Sequence, residues 1–256
     1  MINISIAGEN ALIVYFAEEA SDETAAIVYQ AESLLRANMP NDFIDLIPSY
    51  ASILVMFDML VIDHNQLRQK LRTTLAGLSS KTTEDEKNTL VGNVVGKLVE
   101  LPVYYSEQSG PDLARIASKA NLSIEDVIQI HQAQEYRVFA IGFAPGFAYL
   151  GDVDSRIAIP RLATPRLKVP KGAVAIADKQ TAVYPSVSPG GWNIIGLCPV
   201  SMFNPSSDNI MPVKVGDRVK FKAISQQEFI TLGGSLTNEL AVELGAKPAS
   251  ELGDNV

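Results

Sequence analysis

The sequence predicts an α+β domain at the N-terminus followed by an all-β domain of closed-barrel or sandwich type. Residues 79–88 form a polar, charged stretch with almost nothing to bury, which is typical of a linker. Before this stretch apolar residues follow strand and helix periods, and after it short β-rich runs are separated by proline and glycine. We therefore expect domains over residues 1–80 and 90–232 and a tail over 233–256.

In the first domain we expect the order ββαββα. Gly8-Glu9-Asn10 separates two β-rich runs and is a hairpin signal. Ser21 can cap the helix that follows, because its side chain can accept hydrogen bonds from the first turn. The predicted strands are 2–7, 11–16, 43–47 and 52–57, and the predicted helices are 22–37 and a second one striped by Leu67, Leu71, Leu75 and Leu78.

The second domain begins with a predicted strand over 97–105 and two short helices. The first opens at Gly110-Pro111-Asp112-Leu113, and Ser123 with Asp126 forms a capping box for a second that ends near His131. Many short strands with regular turn signals then favour a barrel or sandwich over a parallel α/β sheet. These predicted strands are 137–141, 173–177, 181–184, 193–195 and 218–222.

Charge and composition exclude several classes of function. The formal charge is -8 at pH 7, which argues against a general nucleic-acid or anionic-membrane surface. The single cysteine, Cys198, cannot form an intrachain disulfide or a cysteine-rich zinc site, and we expect no metal. The N-terminus does not resemble a signal peptide, so we expect a cytoplasmic protein. The long uncharged run over 180–207 contains four prolines and is not a membrane span.

The first candidate segment, residues 142–151, combines glycines, a proline and aromatic residues. Gly142 and Gly146 permit positive φ, and Pro145 restricts the loop, so backbone N–H groups here could bind an oxyanion or a carboxylate. The alternative is a barrel corner packed by Phe143, Phe147 and Tyr149.

The second candidate segment carries positive charge on an acidic chain. Residues 156–179 contain six bases and one acid, Asp178. Arg161 and Arg166 lie beside prolines and suit recognition of a carboxylate or phosphate. The alternative is a solvated face that pairs with the acidic first domain.

The third candidate segment is Ser186-Val187-Ser188-Pro189-Gly190-Gly191-Trp192, which carries the sole tryptophan. An aromatic ring beside a flexible turn suits a ligand pocket, although Trp in a turn is also a common core residue.

His131 and His64 could each be a general base or a hydrogen-bonded structural residue, and we favour the structural interpretation. No Walker A loop, G-x-G-x-x-G, H-E-x-x-H or G-x-S-x-G motif is present, so the chain has no recognisable nucleotide site.

Together the three segments resemble the family that contains allophanate hydrolase subunit 1, the B subunit of 5-oxoprolinase and the sporulation-kinase inhibitor. The matching strings are GFAPGFAYLGDVD, IPRLATPRLKVPKGAVAIADKQTAVYP, SPGGWNIIG and VGDRVKF, and the resemblance covers about residues 1–230. It implies an N-terminal α+β domain and a C-terminal cyclophilin-like β-barrel. The tail after Gly233 is not explained by the family.

The resemblance implies a non-autonomous subunit of an ATP-dependent 5-oxoprolinase, a hydrolase that opens 5-oxo-L-proline to L-glutamate. The implied partners are a companion barrel subunit of the C type and a subunit of the A type, and ATP is used by the complex. Two other functions remain open: inhibition of a sensor histidine kinase, and an amide-processing role in a urea or allophanate pathway.

The resemblance also implies site residues. His131 would assist proton transfer, and Arg161 and Arg166 would hold the substrate carboxylate or a developing phosphate charge. After Trp192 the family often reads R-L-I-G-R-T-P, whereas this chain reads N-I-I-G-L-C-P and lacks both basic residues. The implied substrate-binding residues are Gly142, Phe143, Pro145, Gly146, Tyr149, Pro189, Gly190, Gly191 and Trp192.

Overall fold

The computed structural model of the chain describes residues 2–78 and 96–236. The chain divides into two compact units, Met1–Gly96 and Lys97–Val256. The predicted linker at 79–88 lies outside the described residues, as does the part of the predicted tail (233–256) that follows residue 236.

The first unit contains a four-stranded antiparallel sheet with the strand order β1-β2-β4-β3. The predicted hairpin around Gly8 and the second strand pair are confirmed, although β3 begins two residues later than predicted and includes Pro48. Pro48 is tolerated because β3 is an edge strand. The strands are β1 (Asn3–Ile6), β2 (Ala11–Tyr15), β3 (Asp45–Ser49) and β4 (Ser52–Met56).

Two helices cover one face of this sheet, α1 (Asp22–Asn38) and α2 (His64–Leu75). Ser21 caps α1 as predicted, since its Oγ accepts a hydrogen bond from the Thr24 amide at 3.1 Å. Asp63 caps α2 in a capping box, and a 3-10 turn (Ala76–Leu78) follows that helix. The core between sheet and helices includes Leu12, Val14, Ile53, Val55, Leu35, Leu67 and Leu71, all of them buried.

The second unit is built on a seven-stranded sheet with the order β12-β9-β10-β7-β6-β13-β5. All neighbouring strands are antiparallel except β13 and β5. A separate ribbon pairs β8 with β11. The strands are β5 (Leu98–Val103), β6 (Tyr136–Ile141), β7 (Ala148–Gly151), β8 (Arg166–Val169), β9 (Ala173–Ala177), β10 (Gln180–Val183), β11 (Ser188–Gly190), β12 (Asn193–Leu197) and β13 (Arg218–Ala223).

The seven-stranded sheet is nearly closed into a barrel, as the strand pattern predicted. Its two edge strands are β5 and β12, and an isolated bridge joins them where Tyr104 pairs with Leu197. The Tyr104 amide donates to the Leu197 carbonyl at 2.8 Å, and the Leu197 amide donates to the Tyr104 carbonyl at 3.0 Å. These bonds satisfy backbone groups that an open edge would leave exposed.

Three helices accompany this sheet, so the second unit has mixed α and β content around its nearly closed sheet and is not all-β. Helices α3 (Leu113–Ala120) and α4 (Ile124–Ala133) are the two predicted ones, and the capping box of Ser123 and Asp126 is present. Helix α5 (Gln226–Thr231) was not predicted, although Ser225 and Glu228 form a capping box at its start. The strands β7, β8 and β11 were also missed, because they lie in the three segments that were interpreted as candidate ligand-binding loops.

Candidate functional site

The three candidate segments meet at a cluster of aromatic rings. Phe147 lies at its centre, with ring centroids 4.9 Å from Tyr149, 5.2 Å from Tyr184 and 5.6 Å from Trp192. Phe143 contacts Phe147 at 5.3 Å. Most of these contacts are edge-to-face, the geometry favoured by the ring quadrupoles. We call these five residues the aromatic cluster.

Strand β9 makes room for the aromatic cluster. Its five residues are all buried and alternate between the two faces of the sheet. Ala173, Ala175 and Ala177 pack with Phe147, Tyr184 and Trp192, whereas Val174 and Ile176 pack in the other core of the unit. Small side chains on one face leave space for large rings, which is how a barrel strand positions this cluster.

Arg161 lies over the aromatic cluster. Its guanidinium carbon is 5.8 Å from the centre of the Trp192 ring, and the residue is exposed to solvent. Such a cation–π contact orients a guanidinium while leaving its N–H donors available. Both Arg161 and Arg166 lie close enough to Tyr184 to oppose the effect of burial, which raises the pKa of that phenol to about 12. Tyr184 therefore remains protonated at neutral pH.

Tyr184 was missed as a site residue, and it connects the cluster to the turn before Trp192. Its hydroxyl lies against Gly190, where an added Cβ would be only 2.4 Å from the oxygen. Gly191 has space by comparison, since a Cβ there would be 3.6 Å from the nearest atoms. The Gly191 carbonyl accepts a hydrogen bond from the Leu162 amide at 2.7 Å, which ties the Trp192 turn to the Arg161 segment.

Alanine at Gly190 is therefore expected to destabilise the second unit by roughly 1–3 kcal/mol, because the new methyl group overlaps a buried ring. Gly191→Ala is the matched control and should change the free energy of unfolding by less than about 0.5 kcal/mol. Urea unfolding followed by Trp192 fluorescence measures both. Adding Tyr184→Phe to Gly190→Ala should recover part of the loss, and equal losses for the two alanine variants would contradict the assignment.

The loop between β6 and β7 presents Phe143 to solvent. Phe143 has φ 69° and is 67% exposed, an uncommon conformation and exposure for a large aromatic residue. Gly146 has φ 84°, and a Cβ there would lie 2.5 Å from the Met202 carbonyl oxygen. The Gly142 amide donates to the Phe147 carbonyl at 3.0 Å, and the Phe147 amide donates to the Ala144 carbonyl at 3.0 Å. Both amides are therefore hydrogen-bonded within the loop.

From the sequence we expected Arg166 to hold a substrate anion, but in the structure its guanidinium is paired with Asp112. Its Nη2 donates to Asp112 Oδ1 at 3.0 Å, and its Nη1 lies 2.9 Å from Asp112 Oδ2. The side chains are 18% and 8% exposed. Asp112 Oδ2 also accepts a hydrogen bond from the Ile194 amide at 2.7 Å. The pair therefore joins β8, β12 and the start of α3, and Asp112 is a residue that the sequence interpretation missed.

His131 lies in the core, away from the aromatic cluster. It is fully buried, and its ring stacks on Phe221 with centroids 4.6 Å apart. Thr181 Oγ1 donates to the Ala175 carbonyl at 3.0 Å, so it accepts from His131 Nε2, also at 3.0 Å. His131 Nδ1 then accepts from the Tyr105 hydroxyl at 2.8 Å. Both ring nitrogens are occupied, as in a structural histidine.

Burial lowers the pKa of His131 from 6.5 to about 3. The unfolded chain consequently binds a proton below pH 6.5 that the folded chain excludes, so this stabilisation is present above pH 6.5 and is lost as the pH falls. We expect the second unit to lose about 2 kcal/mol between pH 7 and pH 5, a range above the main titration of carboxyl groups.

Denaturant unfolding at several pH values, followed by Trp192 fluorescence, measures this loss. His131→Gln should remove the pH dependence in this range, whereas His64→Gln in the first unit should leave it unchanged. The same slope in His131→Gln as in the natural chain would show that another group is responsible.

The structure brings together most of the residues expected at the site. Arg161, Trp192, Tyr149, Phe143 and the glycines around them lie in or beside the aromatic cluster. Pro145 and Pro189 are exposed in the turns next to it. Arg166 borders the cluster but is engaged by Asp112, and His131 lies elsewhere.

Membrane-spanning and metal-binding features are both absent from residues 2–78 and 96–236. Within these ranges no helix is long and apolar enough to cross a membrane. In the same part of the chain, no three side chains of His, Cys, Asp and Glu are grouped so that they could hold a metal ion.

The mixed α/β chain, with its nearly closed sheet and an arginine over an aromatic cluster, matches a known class of protein. The family model described as "Carboxyltransferase domain, subdomain C and D" matches residues 2–213. The chain belongs to this family.

Relatives support the same assignment. The B subunit of 5-oxoprolinase from Bacillus subtilis (strain 168) is 37% identical over 225 residues, which cover 87% of this chain and 92% of that protein. The resemblance stated from the sequence motifs is thereby confirmed.

Two solved structures are also similar. A conserved uncharacterized protein of Pyrococcus horikoshii, PH0987, is 40% identical with a TM-score of 0.52, and the match covers 89% of this chain and 100% of that chain. TTHA0988 is 31% identical with a TM-score of 0.70, and the match covers 88% of this chain. This chain spans 40% of the length of TTHA0988.

Proposed function

We propose that the chain is the B-type subunit of an ATP-dependent 5-oxoprolinase complex, which opens 5-oxo-L-proline to L-glutamate. The name of the Bacillus subtilis relative, which matches over nearly its whole length, supports the reaction. The observation that carries the proposal is the exposed guanidinium of Arg161 above Trp192, beside the aromatic cluster.

The substrate is a small ring that carries one carboxylate and one lactam amide. A guanidinium offers paired donors that match a carboxylate, and aromatic faces suit the apolar edge of a small ring. We assign the carboxylate to Arg161 and the ring to the exposed face of Phe143 and the half-buried Tyr149, because Trp192 itself is buried beneath Arg161. In this assignment the chain binds and orients the substrate.

The other predicted catalytic residues receive different roles. Arg166 is held by Asp112, so we propose that it fixes the position of β8, which follows the Arg161 segment. His131 has no free ring nitrogen, and we propose that it stabilises the barrel. Gly190 and Gly146 allow the close backbone approaches that shape the turns beside the cluster.

A lactam is a stable amide and needs activation, which phosphorylation of its carbonyl oxygen would provide. We propose that ATP is bound by the companion subunits, since the sequence contains no Walker A motif. The partners would be a barrel subunit of the C type and a subunit of the A type.

We also propose that the second unit is cyclophilin-like. The domain limits that we propose are residues 1–80 and 90–232.

Reconstitution tests this function. The purified chain alone should form no glutamate from 5-oxoproline and ATP, and activity should appear only when both companion subunits are added. Glutamate formation is measured together with phosphate release. Turnover by the chain alone, or a fully assembled mixture that acts on urea or allophanate but not on 5-oxoproline, would refute the proposal. Stable binding of a sensor kinase with no companion binding would favour the inhibitor function instead.

A further inference from the structure

The sheet of the first unit has a second face that the helices do not cover. Side chains alternate along each strand, so Ile13, Ile47 and Leu54 lie opposite the buried residues that face α1 and α2. The strand register places them in one row, because Ile13 pairs with Leu54 and Leu54 pairs with Ile47. We call this row, with Tyr15 and Met56 beside it, the open sheet face.

The open sheet face is apolar and accessible in part. Ile47 is 38% exposed and Tyr15 is 40% exposed, whereas Ile13, Leu54 and Met56 are partly buried. Three aliphatic side chains in register across three strands form a continuous apolar strip. Contiguous apolar surface of this kind is typical of a protein interaction site.

Acidic residues border both ends of this strip. At the end of the sheet where Ala11 pairs with Met56, Glu9 precedes β2 and Asp58 follows β4. Asp45, the first residue of β3, also pairs with Met56 at this end. Glu18 and Glu19 follow β2 at the opposite end. All five acidic residues are exposed.

Arg36 of α1 reaches one of these acids, since its Nη2 lies 3.8 Å from Asp45 Oδ1. Residues 2–21 and 39–63 contain seven acidic residues and no lysine or arginine. Within residues 2–78 the four bases all lie on the helices, and they are Arg36, Arg68, Lys70 and Arg72. The border of the open sheet face therefore carries a net negative charge, with Arg36 at the β3 edge as the basic residue that pairs with it.

We propose that the open sheet face docks a companion subunit through an apolar surface bordered by lysine and arginine. An acidic border around an apolar centre selects such a partner and speeds its association. The same charge repels nucleic acid and anionic membranes. A second copy of this chain would bring two negative borders together, which electrostatic complementarity disfavours. This inference rests on the proposed function, because that function supplies the companion subunits.

The test measures the affinity of the full chain for each purified companion subunit, using calorimetry or interferometry. Ile47→Thr combined with Leu54→Thr removes apolar area while keeping β-forming residues. We expect this variant to bind one companion at least about 10-fold more weakly. Glu9→Lys combined with Glu18→Lys should slow association and reduce its salt dependence. Glu23→Lys, an exposed change on α1, is the matched control and should bind like the natural chain.

Two results would overturn the inference. One is unchanged affinity for both companions in the threonine and lysine variants, with circular dichroism showing intact folding. The other is self-association of the natural chain in sedimentation that the threonine variant abolishes, since a second copy would then occupy the face. The proposed function is judged separately by glutamate formation. If the companion subunits bind but the complex forms no glutamate, the proposed function is refuted, and the measured affinities still decide whether the open sheet face binds a companion.

Discussion

Replacing Asp112 by alanine is expected to destabilise the second unit by about 3–5 kcal/mol, because it leaves the guanidinium of Arg166 poorly exposed and without its counter-charge. The same change removes the acceptor of the Ile194 amide hydrogen bond. Denaturant unfolding followed by the single tryptophan, Trp192, reports on this unit directly.

Arg156→Ala is the control for the Asp112 experiment. Arg156 pairs with Asp154 at 2.7 Å, but its side chain is 63% exposed, so its loss should change stability little. The double variant Asp112→Ala with Arg166→Ala should lose less than the sum of the single variants, since it leaves neither charge unpaired. Strictly additive losses would show that the two side chains do not act as a pair.

The second large effect is expected at Arg161. Under the proposed function, Arg161→Ala should lower kcat/KM for 5-oxoproline in the reconstituted complex about 10- to 100-fold, the effect of losing a charge-assisted contact with the substrate carboxylate. The free energy of unfolding should change by less than about 0.5 kcal/mol, because the side chain is exposed.

Arg161→Lys separates charge from shape. It should recover only part of the activity, since an ammonium group cannot make the paired contacts of a guanidinium. Lys171→Ala, another exposed base outside the aromatic cluster, should keep the natural activity. Natural activity in Arg161→Ala would remove this residue from the substrate site and leave the aromatic residues as the remaining contacts.

The sequence alone determined most of the local structure. Ser21 and the Ser123–Asp126 capping box identified helix starts, because capping depends on residues three positions apart. Leu67, Leu71 and Leu75 identified the buried face of α2 through their spacing. The long motif strings identified the family, since each string is local and can be read along the chain.

The sequence did not distinguish the two arginines, although they lie five residues apart in the same basic segment. Arg161 is exposed over Trp192, whereas Arg166 is engaged by Asp112, a residue 54 positions away along the chain. His131 likewise became a core residue through Thr181 and Tyr105, which belong to other strands and turns. The tertiary structure decided these roles because the partner that occupies a polar side chain is distant in sequence, and local patterns carry no information about it.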